Sequence, residues 1–266
     1  MSKKRKPDEV SVTEEDPITQ KSRSDAKTLL KSARENKDFV LLVDNGSKWT
    51  LPQALLSLES KLIKRKIASG SSEHYTNRHL ASAVELWVQW LHTRSYHEED
   101  FIVPDISLYS GSLAPHTPDP TPDDLDIGII YPIKAALVAW HLGDRLESPR
   151  FQNYAMTRLS HALNHKLPTP QASARILYHL SFLGSHWMPL RFFEDFLLRN
   201  WGDWTVIERG DAQDWADLLR RNDRFRLGFV HASIWSLEHR RAIEMKAEQY
   251  FVDEEGERPP SILDFI

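Results

Sequence analysis

Cysteine is absent from the 266 residues of this sequence. Without thiols the chain forms no disulfide, supplies no thiolate nucleophile and ligates neither zinc nor an iron–sulfur cluster through sulfur. Proteins without disulfides are typical of the reducing interior of the cell. We therefore expect an intracellular protein, nuclear or cytoplasmic.

Two further features are missing: a long apolar run and an excess of charge of one sign. Nowhere do about 18 apolar residues follow one another, and the N-terminus is charged from Lys3 onward, so neither a membrane span nor secretion is expected. The 34 basic and 38 acidic residues give a net charge of only -4. Such a balance creates no global attraction to nucleic acid or to an anionic membrane.

The common signatures of catalysis are also missing. The sequence contains no G-x-S-x-G elbow, no P-loop and no dinucleotide fingerprint. His161 and His165 are four residues apart and could share a helix face, but Ala162 follows His161 where the zinc-protease pattern has a glutamate. We interpret the pair as a solvated helix end and expect no catalytic residue, no cofactor, no metal and no pocket of titratable groups with displaced pKa values.

Both ends of the chain are predicted to be flexible. Residues 1–36 are rich in charged and hydroxyl side chains and carry almost no large apolar residue, so they cannot recover the entropy lost on ordering. Residues 253–266 end in PPSILDFI, which joins a rigid Pro-Pro to four apolar residues. That segment could dock on a partner or pack back on the chain.

A β-hairpin is predicted near the start of the globular part. The apolar run at 39–43 is followed by Asp44-Asn45-Gly46, whose turn chemistry closes a hairpin onto residues 49–51. Pro52 fits the first turn of the helix that follows, since its missing N–H costs nothing there. Residues 38–68 should form a hairpin that leads directly into a helix.

Helices are predicted for most of the remaining chain. The stretch ASAVELWVQWLH at 81–92 should be a helix buried on most sides, with Trp87 in the middle of one face. Six prolines between Pro104 and Pro132 indicate a loop or an insertion. Further helices are predicted near 133–146, 149–165, 171–183, 189–200 and 211–221, with a long one near 223–251.

Several ordered segments resemble the fungal branch of the BTB/POZ family. The most specific are VELWVQWLHTRSY and ALVAWHLGDRLESPRFQNYAM, and SHWMPLRFFEDFLLRNW is similar to the family's C-terminal helical extension. In SKWTLPQALLSLES and just after it, Trp49, Leu56, Ser60 and Ile63 fit the family pattern. The His-Lys pair of that pattern is replaced by Pro52-Gln53.

The resemblance implies an α+β fold, in which a small sheet is capped by helical hairpins. The BTB/POZ-like domain would span 37–166, with the proline-rich insertion at about 104–131, and an all-helical extension would follow at 167–252. Members of the family form homodimers or heteromeric assemblies, and some are adaptors on the cullin scaffold of a ubiquitin ligase. Tyr96 and Glu98 match the hydrophobic-x-Glu form of cullin-binding relatives, so these two residues are the candidate partner-binding residues.

The basic run Lys3, Lys4, Arg5 and Lys6 has the form of a nuclear import signal. Its alternative interpretation is a solubilising tail, because acidic residues follow at once. A second function is therefore kept open: a nuclear factor that contacts nucleic acid through this tail, with weak and steeply salt-dependent binding.

Three other groups of residues are assigned structural roles, with a functional alternative for two of them. Asp144 is expected to hydrogen-bond the next segment. The cluster of Arg220, Arg221, Arg224 and Arg226 is expected to be a salt-bridged, solvated helix face, with a partner-binding patch as the alternative. The five tryptophans of the C-terminal half are expected to pack between helices, with an aromatic binding platform as the alternative. They are Trp187, Trp201, Trp204, Trp215 and Trp235.

Overall fold

The computed structural model describes residues 37–43, 46–76, 81–97, 131–165, 172–181 and 187–253. The predicted tail at 1–36, nearly all of the proline-rich insertion and all but the first residue of the predicted tail at 253–266 lie outside these ranges. Within them the fold is α+β, as predicted, with a three-stranded sheet and a majority of helical residues.

The predicted hairpin is confirmed. Strand β1 (Asp38–Val43) pairs antiparallel with β2 (Lys48–Pro52). Gly46 has φ of +87°, in the left-handed region that glycine tolerates, and its N–H donates to the Val43 carbonyl at 2.8 Å. Alternate residues of β1 are buried, which turns one face of the hairpin toward the core.

The segment after the hairpin differs from the prediction in two respects. Pro52 is the last residue of β2 and not part of the helix, which begins at Gln53. The single helix is divided at Ser60 into α1 (Gln53–Glu59) and α2 (Lys61–Ala68). The Ser60 hydroxyl accepts the Ile63 N–H at 3.1 Å, so it caps α2, and it donates to the Leu146 carbonyl at 2.5 Å. Because the Ser60 hydroxyl makes both of these hydrogen bonds, a break at Ser60 is favoured over one continuous helix from Gln53 to Ala68.

A third strand was not predicted. Strand β3 (Glu73–Thr76) pairs in parallel with β1, so that the sheet order is β2-β1-β3 and the helices α1 and α2 form the crossover. Its four residues, EHYT, lack a run of large apolar side chains. The pairing depends on β1, more than 30 residues earlier, and not on a local pattern.

Three helices follow the sheet at the predicted places: α3 (Ala81–Thr93), α4 (Tyr131–Arg145) and α5 (Pro149–Asn164). Trp87 is completely buried, and Trp90 packs on Phe151 with ring centroids 5.3 Å apart. The predicted role of Asp144 is confirmed, since its carboxylate accepts a hydrogen bond from Gln152 at the start of α5. The buried carboxylate of Glu59 pairs with Arg94 at 2.7 Å and links α1 to the end of α3.

The C-terminal part contains α6 (Ala174–Ser181), α7 (Met188–Asn200), α8 (Ala212–Arg221), α9 (Asp223–Ser233), α10 (Leu237–Ala242) and a 3₁₀ helix (Ala247–Tyr250). The prediction of one long helix near 223–251 is wrong. Ser236 begins a new helix there, because its hydroxyl accepts the His239 N–H at 3.2 Å. A parallel bridge between Ala172 and Ile207 also places extended backbone within this helical part.

The helical part packs directly on the first part of the chain. The rings of Trp140 in α4 and Trp187 before α7 meet edge to face with centroids 5.3 Å apart. Asn153 of α5 exchanges two hydrogen bonds of 2.8 Å with the backbone of Val252. One continuous set of buried side chains therefore runs from the sheet to the 3₁₀ helix. No helix in the described ranges combines the length and the apolar character needed to cross a membrane.

Candidate protein interface

Of the two predicted partner-binding residues, Tyr96 lies within the described ranges and Glu98 does not. Tyr96 is only 1% exposed, and its ring packs edge to face on Tyr154, with centroids 5.0 Å apart, and on Phe151. Its N–H donates to the Tyr154 hydroxyl at 3.3 Å. The side chain thus anchors the chain as it leaves α3. Glu98 lies outside the described residues.

Two other predicted features also lie outside the described ranges. These are the basic run of Lys3, Lys4, Arg5 and Lys6, and the segment PPSILDFI at 259–266. Their roles in nuclear import and in docking stay predictions.

The histidine pair occupies the end of α5, as predicted. The rings of His161 and His165 are stacked with centroids 6.2 Å apart, and both side chains are exposed. Nowhere in the described part of the chain do three or more histidine or acidic side chains form a group that could hold a metal ion.

The arginine cluster is only partly the solvated face that was predicted. Arg220 pairs with Asp217 at 3.0 Å, and Arg226 pairs with Asp223 at 2.9 Å, each across one turn of an exposed helix surface. Arg224 instead points inward, where its Nη1 lies 3.7 Å from the buried carboxylate of Glu194. The sequence pattern did not distinguish these positions, because Asp217 and Asp223 lie in the same charged segment as all of these arginines.

A buried polar cluster, which sequence reasoning missed, joins α7 to the segments that follow it. Glu194 is 2% exposed, and its Oε1 accepts a hydrogen bond from Nδ2 of Asn222 at 2.7 Å. The neighbouring Asp195 accepts the hydroxyl hydrogen of Tyr250 at 2.5 Å. The signal was present in the sequence, since Glu194-Asp195 stands inside the apolar run RFFEDFLL, where buried charges need partners.

Two pKa values in this cluster are displaced by burial. Burial raises the pKa of Glu194 to about 7, although Asn222 and Arg224 stabilise its charged form. Burial and the adjacent Asp195 raise the pKa of Tyr250. These groups lie at a junction between helices, where burial displaces pKa values by the same physics that acts in an active site.

The cluster fixes the orientation of α9. Asn222 caps that helix by accepting the Phe225 N–H at 2.9 Å, and the same side chain donates to Glu194 on α7. At the other end, the buried Arg240 donates to the carbonyl of Ala232 at 3.1 Å and to that of Trp201. Both ends of α9 are therefore anchored, and one side of the helix faces solvent.

The tryptophan prediction is confirmed for three of the five residues. Trp187 is buried, and the half-buried Trp201 and Trp215 pack edge to face with centroids 4.7 Å apart. Trp204 and Trp235 are exposed instead. Trp235 stacks on His239, with centroids 4.1 Å apart and ring planes 13° from parallel.

The outward side of α9 carries a line of exposed apolar side chains. Leu227, Val230 and Ile234 are 61%, 55% and 78% exposed. Their spacing of three and four residues places them in one stripe, which we call the outer face of α9. The opposite side carries Phe225 and Gly228, which are buried. Sequence reasoning missed this face because apolar residues on both sides of a helix give the same pattern as a fully buried helix.

The chemistry open to this part of the protein depends on which of its side chains are accessible to solvent. Glu194 and Tyr250, whose pKa values are displaced, are buried and bonded to neighbouring elements, whereas the apolar stripe on α9 is open to solvent. Such a stripe removes apolar surface from water when another molecule covers it. In the comparisons with known proteins, no family model and no curated protein matches the chain.

Proposed function

We propose that this chain is a non-catalytic protein-interaction module of BTB/POZ type that forms homo- or hetero-assemblies. The observation that carries the proposal is the outer face of α9, where Leu227, Val230 and Ile234 are exposed together. An isolated exposed leucine needs no explanation, but three large apolar side chains aligned on an anchored helix favour a partner.

The BTB/POZ assignment is supported by the segment resemblance and by the general plan of the fold. The resemblance implies a small sheet capped by helical hairpins. The hairpin β1–β2 leads into α1 and α2, and α4 packs on α5 as an antiparallel pair joined at Ser148. These elements are consistent with that plan, which other α+β folds also share.

The non-catalytic assignment is supported by the partners of the buried polar groups. Glu194 is bonded to a helix cap, and Asp195 is bonded to Tyr250 of the 3₁₀ helix. A general acid or base must reach the proton that it transfers, within hydrogen-bond distance or through one water molecule. Groups that are buried between packed helices are better suited to holding those helices together.

Light scattering of the full chain over micromolar concentrations tests the proposal. We expect the average mass to rise with concentration for the wild type and to stay at one chain for Leu227→Glu combined with Val230→Glu. Burying two new carboxylates would oppose association, while their exposed positions leave the monomer's core unchanged.

Tyr75→Glu provides the matched control, because Tyr75 is also a large exposed apolar residue but lies on β3. It should associate like the wild type. A wild type that remains a monomer would remove homo-association. If Tyr75→Glu alone prevented association, the sheet and not α9 would be the contact surface.

A further inference from the structure

The outward side of α2 carries an excess of positive charge. Lys61, Lys64 and Arg65 have the three- and four-residue spacing that aligns side chains on one face of a helix, and all three are exposed. Arg65 donates to both carboxylate oxygens of Glu147. Among the described residues, neither lysine has a carboxylate within ion-pair distance. The charge of the two lysines is therefore left to solvent or to a further partner.

Two arginines extend this positive region at the start of α2. The guanidinium groups of Arg94 and Arg150 lie 2.7 and 3.6 Å from the same oxygen of the buried Glu59, the last residue of α1. We define the basic surface by its five cations, which are Lys61, Lys64, Arg65, Arg94 and Arg150. The two carboxylates that accompany them, of Glu59 and Glu147, leave an excess of three positive charges among the described residues.

We infer that the basic surface is the docking site for an acidic segment of the same chain, residues 254–257, whose sequence is Glu-Glu-Gly-Glu. This segment directly follows the last described residue, Asp253. The inference goes beyond the proposed function, because it concerns a different surface from the outer face of α9.

The first argument is that the charges are complementary. The segment carries three carboxylates within four residues, and the basic surface has an excess of three positive charges. Like charges at helical spacing on α2 repel one another, and so do neighbouring glutamates. Contact between the two groups relieves both repulsions.

The second argument is the place where the segment begins. Asn153 anchors Val252 through two hydrogen bonds of 2.8 Å. It lies one turn after Arg150 in α5, about 6 Å along the axis from the start of that helix. The Lys61 N–H donates to the carbonyl of Glu147 just before α5. Residue 257 is five residues beyond Val252 and can reach about 17 Å from it. The segment therefore starts beside the basic surface and is long enough to lie across it.

The short connection also favours this segment over other acidic partners. Docking a segment that follows its anchor directly costs little loop-closure entropy and gives it a high effective concentration. The acidic residues at 8–16 are more than 20 residues away from β1 along the chain. A separate acidic protein would lose the translational freedom of a whole molecule on binding.

Carbodiimide coupling of the full chain at low salt tests the contact. The reagent joins a lysine amine to a carboxylate without a spacer, so it links groups that touch. We expect peptide masses in which Lys61 or Lys64 is joined to a glutamate of residues 254–257. The same links should disappear in about 1 M salt, where the Debye length is about 3 Å.

Two lysines of the chain serve as internal controls. Lys246 lies 2.9 Å from Glu244 and should be linked to it. Lys48 is exposed on β2 and should give no link to residues 254–257. An equal mixture of isotopically light and heavy chains shows whether each link is formed within one chain.

Cleavage by a glutamate-specific protease provides a second measurement that leaves the wild-type charges intact. Docking should slow cleavage at residues 254–257 in the wild type relative to Lys61→Gln combined with Lys64→Gln. Exposed ion pairs are weak, so we expect a difference of about two- to fivefold. Lys48→Gln should be cleaved at the wild-type rate. Both lysines of the double variant are exposed, so its unfolding midpoint in urea should match that of the wild type.

Three results would overturn the inference. Links between light and heavy chains would mean that the segment docks on a second copy. Equal cleavage rates for the wild type and the double variant, or no link to residues 254–257 while Lys246 is linked to Glu244, would mean that the segment does not cover the surface. If the wild type then binds a DNA duplex and the double variant does not, the basic surface takes a nucleic acid instead. None of these results bears on association through α9.

Discussion

Gly143 of α4 lies directly against Gln152 of α5. A Cβ atom at position 143 would stand 2.7 Å from Cγ of Gln152 and 3.2 Å from its backbone nitrogen. Side-chain carbons do not approach this closely, so the two helices meet at a point where only glycine fits. The close approach explains how a short connection through Ser148 can hold α4 and α5 together.

Gly143→Ala should therefore destabilise the protein by about 1 to 3 kcal/mol, the usual cost of overpacking. Equilibrium denaturation in urea measures this change in the free energy of unfolding. Gln152→Ala removes the Cγ atom, so the double variant should lose less than the sum of the two single variants. If the two changes in the free energy of unfolding simply add, the helices can move apart easily and the contact between Gly143 and Gln152 does not exclude a Cβ atom.

Trp87→Ala should cost about 3 to 5 kcal/mol, because Trp87 is completely buried in α3 and its truncation leaves a large cavity. Deleting residues 110–124 from the proline-rich stretch should change stability by at most about 1 kcal/mol, since loop-closure entropy depends only logarithmically on length. Chemical denaturation of both variants compares these values. A deletion as harmful as Trp87→Ala would mean that the insertion is structural.

The elements that were predicted correctly have local causes. Gly46 has the left-handed φ that the turn of the first hairpin requires, and the apolar spacing around Trp87 predicts α3. The elements that were missed have distant causes. Strand β3 depends on pairing with β1, and the break at Ser60 depends on an acceptor at Leu146. No window of ten or twenty residues contains that information.

The candidate interface could not be predicted for a related reason. The apolar residues Leu227, Val230 and Ile234 have the spacing of a core-facing helix, and only the packing of Phe225 on the other side reveals that they face outward. Conversely, the hydrophobic-x-Glu pattern suggested an accessible Tyr96, whereas tertiary packing buries that ring. Sequence patterns identify apolar residues but do not tell core from interface.

The cullin-adaptor hypothesis predicts that Tyr96→Ala combined with Glu98→Ala abolishes co-precipitation of a cullin. Because Tyr96 is buried, its truncation should also destabilise the fold, so the double variant alone cannot identify a contact. Glu98→Ala is the informative variant, and it should reduce binding while its unfolding midpoint matches that of the wild type. If the wild-type chain brings down no cullin, the adaptor hypothesis is abandoned.

The stability of the protein should decrease as the pH rises from about 4.5 to about 7, because of Glu194. Burial raises its pKa in the folded state to about 7, from an ordinary value of 4.5, so the folded chain holds a proton that the unfolded chain has released. The stabilisation from the protonated Glu194 is fully present below pH 4.5 and is lost as the pH rises to the folded-state pKa. It amounts to about 1 to 3 kcal/mol. Glu194→Gln keeps an acceptor for Asn222 without the charge and should remove this part of the pH dependence.

Urea denaturation at pH 5 and pH 8 measures the effect as the difference between wild type and Glu194→Gln, so that contributions from the histidines cancel. Glu208→Gln serves as the control, because the side chain of Glu208 is exposed. The stability of this variant should depend on pH in the same way as that of the wild type. An identical pH profile for the wild type and Glu194→Gln would show that the carboxyl is ionised throughout and that Arg224 outweighs its burial.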